Sequence, residues 1–255
     1  MFSRPLSAQA RQVRPDNRRM FRLVFLPGLA CDERTWDAQL AAVPPGLAAC
    51  VSDAHMRHDR IESMAAAVLA DNPGPLLLCG ASMGGMIAME AARQAPQRIA
   101  GLALLGTNAR PETPDMCALR ESAIRVFERG EARALIELNA HFAMHKTQAA
   151  DSALLRHYID IVLDAGADQL IRQNRALMLR PDARLHLSQL RCPVLVACGD
   201  GDLIAPPECS REIAALVPQA ELSWLAECGH MLTLEKPVEV NALLAPWLHK
   251  LLLNI

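Results

Sequence analysis

The chain has 255 residues, long enough for one α/β domain that carries an insertion and buries a full core. Hydrophobic residues make up 51% and charged residues 21%, a balance that excludes a disordered chain. The net charge of −2 excludes a strong electrostatic case for nucleic acid or an anionic membrane surface.

Residues 1–19 carry Arg4, Arg11, Arg14, Arg18 and Arg19 but no apolar run of the kind a secretory signal needs. They are expected to be a disordered extension, or to precede a true start at Met20. Phe21–Leu26 is a short apolar run that stops at Pro27-Gly28 and reads as a buried strand. A helix over Arg34–Val43 follows, then a strand over Leu47–Ser52 and a helix over Arg60–Ala70. Pro75–Ala81 has no polar face, as expected of a strand in a sheet covered on both sides. Met83–Gln94 reads as a helix and Ile99–Leu105 as another buried strand. After the insertion come a strand at Val194–Cys198, a helix near Glu208–Leu216, a strand at Glu221–Leu225 and a closing helix at Val238–Leu252.

Such alternation predicts parallel strands joined by right-handed crossovers. It breaks between Pro111 and Leu190, where four helices are predicted over Asp115–Arg129, Ala132–Phe142, Ala153–Asp164 and Asp168–Leu179. The expected fold is therefore a mostly parallel, doubly wound α/β sheet with an inserted all-helical cap over about residues 111–190. The most apolar stretch, Pro75 to Met89, is too short and too glycine-rich to span a membrane. None of the eight cysteines forms a C-x-x-C pair, which favours a reduced, cytoplasmic setting over a zinc or disulfide framework.

The strongest chemical signal is Gly80-Ala81-Ser82-Met83-Gly84, a G-x-S-x-G between an apolar strand and a helix. A serine in so sharp a turn needs tiny neighbours, because backbone segments meet there. The helix behind it offers free N–H groups to a developing oxyanion. A serine hydroxyl also needs a base, and the base an orienting acid. His230 lies just after the last strand, at the sheet edge where active sites of α/β folds collect. Asp200 and Asp202 both follow the penultimate strand, and local physics leaves the choice of acid open.

These residues resemble the α/β-hydrolase superfamily, and the resemblance runs from Phe21 to the C-terminus. The order Ser82, Asp202, His230 matches that family's nucleophile–acid–histidine order. Its G-x-x-D-x-x-x-P pattern falls on Gly199, Asp202 and Pro206, which implies Asp202 as the acid. Its G-H and E-x-P fall on Gly229, His230, Glu235 and Pro237. Many members carry His-Gly after the first core strand, and the next residue lends a backbone N–H to the oxyanion hole. Here the dipeptide is Pro27-Gly28, so the implied donors are Leu29 and Met83. The family's opening β-hairpin is not evident before Phe21.

The resemblance implies a cofactor-free serine hydrolase acting on a small carboxylic ester or thioester. Hydrolysis of a carbon–carbon bond in a dienoic diketo acid is an alternative that would want a basic cap residue such as Arg175. Perhydrolase activity and a ligand-binding receptor on the same scaffold are the others. No nucleotide fingerprint or P-loop is present. His141 and His145, four apart on an expected helix, are read as cap surface or pocket lining rather than metal ligands. Asp53, His55, His58 and Asp59 are read as a polar loop near the cleft. Trp36 is expected to pack the first helix. Arg172-Gln173-Asn174-Arg175 is expected to be a solvated helix face.

Overall fold

The computed structural model describes residues 21–253. The expected extension at 1–19 and any hairpin before Phe21 lie outside the described residues. Six parallel strands form one sheet: β1 (Arg22–Leu26), β2 (Ala48–Val51), β3 (Leu76–Ala81), β4 (Ile99–Leu105), β5 (Val194–Gly199) and β6 (Ala220–Leu225). Their order is β2-β1-β3-β4-β5-β6.

Alternate side chains of each strand enter two separate cores. On one face Val24, Leu76, Leu78, Leu102 and Val196 pack against α3 (Ile61–Asp71), α4 (Met83–Gln94) and α10 (Pro207–Leu216). On the other, Leu23, Phe25, Leu77 and Leu195 pack against Trp36 and α12 (Pro237–Leu253). Trp36 is fully buried, with its ring centroid 4.8 Å from that of Phe25. Both faces are therefore covered, which is why the central strands lack a polar side.

The boundaries expected for α4 and β4 match those observed. The first helix differs: it splits into a 3₁₀ turn (Glu33–Trp36) and a short α1 (Asp37–Ala41). The polar loop expected after β2 is instead a helical turn, α2 (Ala54–Arg57).

The insertion between β4 and β5 is all helical. It contains α5 (Pro114–Glu128), α6 (Ala132–Asn139), α7 (Ser152–Asp164), α8 (Ala167–Met178) and α9 (Arg184–Leu187). Its two ends are clamped together. Glu112 lies 2.5 Å from Arg120 Nε and 2.6 Å from Arg180 Nη1, and Arg180 Nε donates to the Arg110 carbonyl. The Ala183 N–H donates to the Ala109 carbonyl at 2.9 Å.

Candidate active site

The strand order reverses between β1 and β3, and loops leaving the carboxyl ends of such a pair diverge around a crevice. Leu26 is in register with Gly80, so the segments Pro27–Cys31 and Ala81–Met83 leave the sheet side by side. Ser82 sits at φ +53°, ψ −118°, a strained conformation for a residue with a side chain. Its surroundings hold it there. Ser82 N–H donates to the Leu105 carbonyl at 2.9 Å, and the Thr107 hydroxyl donates to the Ser82 carbonyl at 2.7 Å. A Cβ on Gly84 would lie 2.5 Å from the carbonyl carbon of Leu26, so only glycine lets β1 pass this close.

Ser82 Oγ is 2.9 Å from His230 Nε2. His230 Nδ1 is 3.0 Å and 2.9 Å from the two carboxylate oxygens of Asp202. A carboxylate only accepts, so Nδ1 carries the proton and the Nε2 lone pair faces the serine hydroxyl. Asp202 is itself fixed: its Oδ1 accepts from Ile204 N–H at 2.9 Å and Ala205 N–H at 2.8 Å. Asp200 is exposed and accepts at 3.3 Å from Cys228 N–H, away from the imidazole. The structure thus brings Ser82, Asp202 and His230 into one hydrogen-bonded chain and leaves Asp200 outside it.

The loop that carries His230 is stitched on both sides. Glu235 is buried, and its carboxylate accepts from the N–H groups of Gly229 (3.0 and 3.1 Å), Met231 (3.0 Å) and His145 (2.7 Å). The Ala143 carbonyl of the insertion accepts from His230 and Met231 N–H at 2.9 and 3.2 Å. The His230 imidazole is therefore held between its own helical turn and the 143–145 segment.

Met83 is the first residue of α4, where N–H groups have no intrahelical acceptor. Leu29 lies in the facing loop. Neither N–H donates to a described acceptor. A cavity of about 480 Å³ begins at Leu29 and runs under the insertion, walled by Val126, Phe127, Ile136, Tyr158 and Leu170. Exposed Leu119 and Ile204 line its mouth.

Several polar residues sit differently from the sequence reading. The 172–175 segment is not a solvated face: Gln173 is fully buried, Asn174 nearly so, and Arg172 donates to the Met56 carbonyl. Only Arg175 is exposed, paired with Glu128. His141 and His145 do not share a helix, because α6 ends at Asn139 and a 3₁₀ turn follows. His141 stacks on Phe142, while the His145 ring packs at Gly201. His55 is buried with Nε2 2.7 Å from the Cys31 carbonyl, and burial pushes its pKa down. Burial also pushes the Cys31 thiol up to about 12, so it is not a nucleophile near neutral pH. Among the described residues, no cluster of His, Cys, Asp and Glu is arranged to hold a metal. The partners of Gln173 escaped the sequence reading, since no local pattern marks contacts made across more than 100 residues.

Comparison with known proteins gives the chain a family. The family described as serine aminopeptidase, S33, matches residues 42–237. A pimeloyl-[acyl-carrier protein] methyl ester esterase of Aromatoleum aromaticum is 28% identical over 247 residues, covering 87% of this chain and 96% of its own. RutD of Serratia proteamaculans, named for carbamate hydrolysis, is 27% identical over 207 residues, 78% of this chain and 75% of its own. A thermophilic esterase from Thermogutta terrifontis shares the fold with a TM-score of 0.80, at 24% identity over 91% of this chain and 90% of that one. The chain belongs to the serine aminopeptidase S33 family of the α/β-hydrolase superfamily and is a hydrolase.

Proposed function

We propose that the chain is a cofactor-free serine hydrolase that cleaves a small carboxylic ester or thioester through an acyl-enzyme on Ser82. The observation that carries this reading is the 2.9 Å contact of Ser82 Oγ with a His230 imidazole whose other nitrogen is held by Asp202. His230 Nε2 takes the hydroxyl proton as Oγ attacks the carbonyl carbon, and Asp202 compensates the imidazolium. The N–H groups of Leu29 and Met83 stabilise the oxyanion. His230 returns its proton to the departing alcohol or thiol. It then activates a water molecule that releases the carboxylic acid and frees Ser82.

The cavity supports an apolar acyl arm. Apart from Ser122, Asn139, Asn174 and the Tyr158 hydroxyl its lining is hydrocarbon, and no cationic residue takes part. A dienoic diketo acid wants a basic partner, yet Arg175 faces solvent against Glu128. The methyl ester esterase among the relatives supports ester cleavage. Eight free cysteines fit a reducing compartment such as the cytoplasm.

The test is hydrolysis of p-nitrophenyl esters of increasing acyl length, wild type beside Ser82→Ala. Turnover by wild type and a loss of several orders of magnitude in the variant are expected. Inert wild type, unlabelled by a fluorophosphonate, would overturn the reading.

A further inference from the structure

The segment Gly28–Cys31 is a four-residue turn closed by the Cys31 N–H donating to the Gly28 carbonyl at 3.2 Å. Its third residue, Ala30, has φ +53°. A positive φ there, with Leu29 at negative φ, is a type II turn, for which glycine is the usual residue. Holding alanine in the left-handed region costs about 1–2 kcal/mol. The competing type I turn relieves that strain by flipping the Leu29–Ala30 peptide, and Leu29 is one of the two hinges of that flip.

One side chain opposes the flip. Gln173 projects from α8, is fully buried, and its Oε1 accepts from the Ala30 N–H at 2.6 Å. Its Nε2 donates to the His55 carbonyl at 3.0 Å. One partner is an obligatory donor and the other an obligatory acceptor, so the amide has only one satisfying orientation. The support behind it is firm: Gln169 Nε2 also donates to the His55 carbonyl at 2.9 Å, and the His55 ring holds the Cys31 carbonyl. A flipped peptide would set the Leu29 carbonyl against Gln173 Oε1, oxygen against oxygen.

We infer that Gln173 is a positioning residue for the oxyanion-binding loop: it ties the Ala30 N–H to α8 and so fixes the place of the turn that carries the Leu29 N–H beside Ser82. This rests on the serine-hydrolase reading proposed above. It also couples the insertion to the reaction, because α8 supplies the lock from 143 residues away.

The experiment compares wild type with Gln173→Met, which keeps the bulk and removes the acceptor, and Gln173→Glu, whose neutral acid in this buried place keeps both the acceptor oxygen and a donor for the His55 carbonyl. Three quantities are read: kcat and KM on the preferred p-nitrophenyl ester, the affinity for an alkyl trifluoromethyl ketone that forms a tetrahedral adduct on Ser82, and the thermal midpoint. In Gln173→Met, kcat/KM and ketone affinity are expected to fall together by about 10- to 100-fold, less than the 10²–10³ that follows outright loss of an oxyanion donor. KM stays within about threefold, and Gln173→Glu retains more of both activities. A folded Gln173→Met with wild-type ketone affinity, or one in which only KM rises, overturns the inference. Equal losses in Met and Glu variants do so as well. Should Gln173→Met not fold, Gln173→Asn, too short to reach the Ala30 N–H, carries the same expectation and the same refutation. Wild type that neither binds the ketone nor hydrolyses any ester would instead bring down the hydrolase reading on which the inference rests.

Discussion

Replacing Asp202 by asparagine changes one atom and inverts the logic of the site. Asp202 is buried, and both of its carboxylate oxygens lie within 3.0 Å of His230 Nδ1. Its Oδ1 also holds Ile204 and Ala205 N–H, so an asparagine keeps its carbonyl oxygen there and presents Nδ2 to the histidine. Nδ2 is a donor, so Nδ1 must lose its proton and become the acceptor. The proton moves to Nε2, which then points N–H at Ser82 Oγ and cannot take the hydroxyl proton. In serine hydrolases this tautomer error lowers kcat by about 10⁴. At about 1.4 kcal/mol per tenfold, that corresponds to about 5–6 kcal/mol of transition-state stabilisation. The assay is p-nitrophenyl ester turnover at pH 7, alongside the rate of fluorophosphonate labelling of Ser82. Asp200→Asn serves as the matched control and should remain within about threefold of wild type, since Asp200 touches only the Cys228 N–H. A folded Asp202→Asn that keeps more than a tenth of wild-type activity, or an Asp200→Asn that loses as much, would refute the reasoning.

Gly84→Ala should destabilise by about 3 kcal/mol or more, because its Cβ would meet the Leu26 and Pro27 backbone rather than a side chain that can swing away. That corresponds to a thermal midpoint lower by roughly 10 °C, and a change under 2 °C would contradict it. Glu112→Gln leaves the buried Arg180 guanidinium without its carboxylate, and urea unfolding should report a loss of about 3 kcal/mol. Burial alone would raise the Glu112 pKa, but the hydrogen bonds from Arg180 and Arg120 outweigh it and hold the carboxyl below its usual value. A loss under 1 kcal/mol would show the clamp to be unimportant. His55 has its pKa lowered by burial, so below its ordinary value of 6.5 the unfolded chain binds more protons than the folded one. Its contribution to stability is therefore present above pH 6.5 and is lost as pH falls below it. Thermal midpoints of wild type and His55→Gln between pH 7.5 and pH 5 check this: the wild-type curve should drop more steeply on the acid side, and parallel curves would refute it.

Sequence periodicity and turn chemistry were enough to place β4 and α4 to the residue, to locate the helical insertion and to single out Ser82, His230 and the Asp200/Asp202 pair. Each of these is written in a short window: an uninterrupted apolar run, a glycine-flanked serine, a histidine after the last strand. The helix expected over Arg34–Val43 was less legible, because its start is a 3₁₀ turn capped by Asp32 and its end is cut short before Pro44. The polar face of α8 was misread for a different reason. Gln173 and Asn174 look like residues for water, and only the docking of α8 shows that Gln173 is satisfied by the backbone of His55 and Ala30 and that Asn174 accepts from Arg120 of α5.

The local sequence thus determined which groups are the candidates for reactive chemistry and which strand ends they occupy. The choice of Asp202 over Asp200, open to local physics, was already implied by the family pattern on Gly199, Asp202 and Pro206, whereas tertiary structure alone decided that Glu235 gathers the N–H groups around His230 and that Gln173 accepts from the loop beside Ser82. The physical reason is range. Helix and strand signals come from neighbours a few residues apart, whereas a buried carboxylate or amide is satisfied by whichever backbone the fold brings within 3 Å, and that separation is not written in any window of the chain.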